Sequence, residues 1–203
     1  IKKLINKLRI VIFMPLITIP ELFDIAIMTA IVGYIFSDVF RKPADENYDP
    51  LTHFRAGFDW NNFYYAAAIT APAIILHELA HKFAALSYGM QATFQAAYFF
   101  LFLGLLMKLM NFGFIFFVPA YVSIAGKGTA LQFALTAGAG PFMNLILWLL
   151  ALFLLKTRLV NKKYNPALLL TSKINMFLFI FNMLPIPGFD GSKFFLGLIQ
   201  AFF

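Results

Sequence analysis

Long apolar runs almost free of charge set the first limit on what this chain can fold into. From Ala130 to Leu155 the sequence contains no Asp, Glu, Lys or Arg. A helix rises about 1.5 Å per residue, so a run of this length crosses the roughly 30 Å hydrocarbon core of a bilayer. Further apolar stretches cover residues 21–39, 61–88, 96–124 and 166–184. Soluble domains carry roughly a quarter of their residues as charges, and here the charged share is 12%. These features predict an all-α polytopic membrane protein with about five to six transmembrane segments.

Composition excludes several chemistries. There is no cysteine, so disulfides, thiolate metal sites and thiol nucleophiles are all ruled out. A metal must then be held by His, Asp, Glu or neutral oxygens. The net charge of +7 does not point to nucleic acid, because Lys and Arg flank the apolar runs where lipid headgroups lie. The expected surroundings are a lipid bilayer and no nucleic acid.

The chain reads as one transmembrane domain over residues 1–203. Residues 1–20 form a basic interfacial segment, with an extended stretch from Val11 to Ile19. Residues 41–60 are the sustained polar loop and hold His53, Glu46 and Asp49, all read as solvated. Asn61 and Asn62 are available to cap the following helix. The stretch 96–124 is broken by Gly104, Asn111, Gly113 and Pro119, and its part from Phe112 to Ile124 has the aromatic and β-branched character of a strand. A small re-entrant or hairpin element is expected there. Lys108 and Lys173 lie inside apolar runs and are expected to snorkel.

Chemistry concentrates in His77-Glu78-Leu79-Ala80-His81. Histidines four apart share one helix face, so both imidazoles can reach one Zn²⁺ ion. Glu78 projects beside them and can take a proton from water. Ionisable groups inside an apolar span cost several kcal/mol unless they are used. Two imidazoles leave a catalytic zinc one ligand short. Asp190 fits the gap: it follows the helix break at Pro185, Pro187 and Gly188, where irregular backbone at membrane depth has to be enclosed by protein or a cavity. Asn182 could hold an oxyanion or a substrate strand, or could simply hydrogen-bond between helices. Thr136, Gly140 and Asn144 form a small polar stripe suited to close helix packing, with Asn144 a further candidate site contact. Asn175 reads as structural.

These residues resemble the site-2 protease family of intramembrane zinc metalloproteases, over roughly residues 61–195. The family's first motif corresponds to His77, Glu78 and His81. Its second corresponds to Asn182, Pro185, Pro187, Asp190 and Gly191. A weaker feature corresponds to Ala139-Gly140-Pro141, with Asn144 a turn later. The resemblance implies His77, His81 and Asp190 as ligands of one zinc per chain and Glu78 as the base that activates water. It implies a role for Asn182 near the substrate carbonyl, and a substrate that is a transmembrane helix of another protein. It also implies a multi-pass cell-membrane protein with the site nearer the cytosolic side. Charge does not decide orientation, since seven basic residues fall on either side. The rival from another class is an inactive membrane adaptor, or a metal-binding membrane protein that keeps the fold.

Assembling the site constrains topology. Helix 61–88 and helix 166–184 have to run the same way for Asp190 to meet the histidines. With one crossing by 129–155, the stretch 96–124 must return to its own side. The family resemblance implies that strands near the site can pair with an extended substrate, and Phe114 to Ser123 is the candidate segment here.

Overall fold

The computed structural model describes residues 17–41, 58–112 and 118–203. The elements are α1 (Ile19–Phe36), α2 (Trp60–Ser87), β1 (Gln91–Ala96), α3 (Tyr98–Leu109), β2 (Ala120–Ala125), α4 (Ala130–Thr157), a short 3₁₀ turn, α5 (Asn165–Asn182) and α6 (Asp190–Phe202). The protein is a mostly helical membrane protein with one small antiparallel sheet. Among the described residues, α1, α2 and α4 are the three helices long and apolar enough to cross a membrane. α5 spans 18 residues but carries Lys173 and several Asn and is not among them. Two expectations concern residues that are mostly outside the described ones: the extended stretch Val11–Ile19, whose last residue opens α1, and the loop 41–60.

Local chemistry explains where the helices start. Thr18 and Glu21 form a reciprocal capping box at α1, and Thr129 and Gln132 do the same at α4. α2 is capped by Asp59, whose carboxylate accepts from the Asn62 N–H at 3.0 Å. Asn61 and Asn62 are therefore helical residues and not the caps expected of them. A carboxylate also suits the positive end of the helix dipole.

The strand expectation needs correction at both ends. β2 begins at Ala120, Phe112 lies outside it, and residues 113–117 are not described. Its partner β1 precedes the stretch expected to contain the hairpin. β1 was missed because QATFQA is short and only half apolar. The register runs from Gln91 opposite Ala125 to Ala96 opposite Ala120. The chain thus returns to where it left, which is the zero net crossing that site assembly requires.

Two lysines on other helices are tied to α1. Lys82 is 2% exposed and pairs with Glu21, itself 1% exposed. Lys108, on α3, donates to the Tyr34 carbonyl and to Ser37 Oγ at the C-terminal end of α1. The unsatisfied carbonyls at a helix C-terminus attract a cation. Met28, Val32, Phe94 and Leu101 form the core between α1, β1 and α3.

Candidate metal centre

Two elements meet at one point. α2 supplies His77 and His81 from one face, and the first residue of α6 supplies Asp190. His77 Nε2 and His81 Nε2 lie 3.2 and 3.1 Å from Asp190 Oδ2. The two Nε2 atoms are 3.1 Å apart. A tetrahedral zinc with bonds of about 2.0–2.1 Å would separate its ligand atoms by about 3.3–3.4 Å. The observed triangle is close to one face of that tetrahedron, with a fourth position left for water or substrate.

The hydrogen bonds behind the imidazoles decide what the triangle can hold. Asn144 Nδ2 donates to the Ala73 carbonyl at 3.1 Å and to Asn175 Oδ1 at 2.8 Å. Its Oδ1 is therefore an acceptor, and His77 Nδ1 donates to it at 2.5 Å. His81 Nδ1 donates to the Thr136 carbonyl at 2.7 Å. With both Nδ1 atoms protonated, each neutral ring presents a lone pair at Nε2. Two lone pairs and a carboxylate oxygen at this spacing repel one another unless a cation lies between them. The donor set fits a zinc ion.

Close approach at this centre depends on two glycines. A Cβ on Gly140 would lie 2.3 Å from His81 Nε2 and 2.6 Å from His77 Nε2. A Cβ on Gly191 would lie 2.4 Å from the Met183 carbonyl. The first lets α4 pass beneath the imidazoles. The second lets the start of α6, and so Asp190, fold against the end of α5.

The geometry brings together His77, His81 and Asp190. Glu78 and Asn182 line the same cavity of about 830 Å³. Glu78 is buried and forms no hydrogen bond with a described residue, which leaves its carboxylate free to hold water. Asn182 ends α5, and its side chain likewise forms no hydrogen bond with a described residue. Asn144 does not reach the cavity. It is 0% exposed and acts on His77 from behind. Asn175, read as structural, buttresses Asn144 in turn and donates to the Thr171 carbonyl at 2.8 Å. The link from Ala73 through Asn144 to Asn175 sets α2 and α5 side by side. Asp190, past the end of α5, meets His77 and His81 further along α2, so the two helices run in the same sense. Replacing Asn144 with Ala should lower zinc affinity about 10- to 100-fold, as loss of a group that orients a metal-binding His does. Competition with a fluorescent chelator would measure it, and an unchanged affinity would remove Asn144 from the centre.

β2 forms one wall of the cavity through Ala120, Tyr121, Val122 and Ile124. The Phe94 N–H turns away from β2 to reach a carboxylate of α1, so the Phe94–Val122 pair is not a hydrogen-bonded one. Alternation along an antiparallel ladder then directs the backbone groups of Ala120, Val122 and Ile124 to the outer edge. No hydrogen bond from a described residue meets them.

The fold and centre define a class: a membrane helix bundle with a site of two histidines and one aspartate and a further carboxylate beside it. No family model matches the chain, and no solved structure matches it. The chain is similar to a protein of Methanocaldococcus jannaschii whose name marks it provisionally as a zinc metalloprotease. The two are 38% identical over 126 residues, which are 59% of this chain and 62% of that protein's length.

Proposed function

We propose that this chain is a zinc metalloendopeptidase of the site-2 protease kind, which hydrolyses peptide bonds within or near the transmembrane helices of membrane-anchored proteins. The observation that carries the reading is the convergence of His77, His81 and Asp190 beside Glu78, in a cavity walled by the open edge of β2. The similarity to a protein named as a zinc metalloprotease supports it. We place the protein in the cell membrane with the site nearer the cytosolic side.

His77, His81 and Asp190 would hold the zinc, which when bound supplies a Lewis acid for the scissile carbonyl and lowers the pKa of water. Glu78 takes the proton from the attacking water and returns it to the leaving amine. The Asn182 amide offers two donors at the cavity wall and steadies the developing oxyanion or the substrate strand. A peptide bond inside a helix is shielded by its own hydrogen bonds, so the substrate has to be extended before attack. Val122 and Ile124, partly exposed on the cavity side, carry outward N–H and C=O groups that no described residue bonds, and these would pair with the extended segment, replacing the helical bonds it gives up.

Metal removal tests the assignment. Purified protein should carry about one zinc per chain and cut a single-span test substrate. A chelator such as phenanthroline should abolish cutting, and added zinc should restore it. Metal-free protein that cuts equally well would overturn the reading. Zinc-loaded protein that cuts none of a panel of single-span substrates would favour the adaptor alternative.

A further inference from the structure

We propose that Glu21 and Asp24 of α1 are positioning residues that fix where a substrate strand lies relative to the metal centre. The proposal rests on the protease reading above. Glu21 and Asp24 share one face of α1. Glu21 Oε1 accepts from the Phe94 N–H at 2.7 Å, and Asp24 Oδ2 accepts from the Ala96 N–H at 3.2 Å. These are successive outward-pointing N–H groups of β1. The two carboxylates thus take the place of a third strand, and β1 cannot accept another chain along the part they cover. Among the described residues, the edge left unpaired is that of β2, on the cavity side.

The same carboxylates tie the hairpin to the metal-bearing helix. Glu21 Oε1 also accepts from Lys82 Nζ, and Lys82 is the residue after His81. Glu21 Oε2 accepts from the Thr18 N–H at 2.7 Å, so the carboxylate is engaged on both oxygens. Asp24 further accepts from the Tyr98 hydroxyl at the start of α3. A buried ion pair is not in itself a strong stabiliser compared with apolar packing. What this one provides is a fixed height of the hairpin against His81. A strand added to β2 changes register in discrete steps, and each step exchanges which residue faces the centre. A hairpin free to shift would present several bonds for cutting, and a fixed one presents a single bond.

The test uses the full chain in lipid nanodiscs and two variants. Asp24→Ala removes one anchor and leaves the Glu21–Lys82 pair. The double variant Glu21→Leu with Lys82→Met removes the pair without stranding a charge. Amide exchange at Phe94 and Ala96, zinc content, KM, kcat and the bond cut in a single-span substrate are read for each. Exchange at the released amides should rise about tenfold, with zinc still near one per chain. KM should rise about tenfold with kcat within about threefold, and cutting should spread to neighbouring bonds. Unchanged exchange would overturn the clamp. Faster exchange with the same KM and the same cut bond would reduce it to a structural tie and overturn the positioning role. A wild-type protein that cuts nothing would overturn the protease reading, and with it the positioning role, while exchange still reports whether α1 closes the β1 edge.

Discussion

Glu78→Gln is expected to keep about one zinc per chain and to lower the rate of peptide cleavage about a thousandfold, within the range typical of a lost general base. Glu78 is not one of the three groups that converge on the metal position. Its side chain lines the cavity beside them. Glutamine has the same shape, so the packing of α2 against its neighbours is retained, but a neutral amide cannot accept the proton from water. Metal analysis and the initial cleavage rate, measured on one preparation, separate the two effects. Loss of zinc in the variant would make Glu78 part of the ligand set. An undiminished rate would remove it from the chemistry.

Gly140→Ala is expected to weaken zinc binding by more than about 100-fold while leaving the helix bundle intact. The added methyl would sit 2.3 Å from His81 Nε2 and 2.6 Å from His77 Nε2. Both atoms carry the lone pairs that point at the metal, so either ring has to turn away. Alanine's usual advantage over glycine in a helix, about 1 kcal/mol, is offset at this position because Gly140 precedes Pro141, whose ring crowds a Cβ on the residue before it. Metal-free Gly140→Ala protein is therefore expected to fold with an unfolding temperature at or somewhat below that of the metal-free wild type, because both buried rings have to shift, and to have lost its affinity for zinc. Thermal unfolding and zinc titration check it together. Zinc affinity like that of the wild type would mean that α4 does not pass beneath the imidazoles as described.

The candidate ligand group was legible because its chemistry is local. His77 and His81 reveal themselves by a four-residue spacing in an apolar run, and Asp190 by the prolines and glycines that break a helix around it. The groups behind the ligands were not legible in the same way. Asn144 lies 67 residues from His77 in sequence, and its spacing with Gly140 and Thr136 is that of any close helix contact. Gly140 entered as part of a motif, but only the approach of α4 to both rings explains why no side chain fits there. Nothing near Lys82 in sequence announces its partner, because Glu21 lies 61 residues away and reaches it only through the placement of α1. β1 escaped notice because its outer N–H groups bond to side chains of α1, and no periodicity within six residues announces that. What could be read from the sequence was a candidate metal site and the membrane setting. What it concealed was the long-range contacts that hold the chemistry at one height.

The position of the cut decides whether this chain works inside the membrane. A single-span substrate reconstituted with the zinc-loaded protein in lipid vesicles would be digested, and the product termini identified by mass spectrometry. The account predicts termini within or at the edge of the apolar segment, absent in the Glu78→Gln variant. Cleavage confined to the soluble tails of the substrate, or termini that persist in that variant, would contradict it.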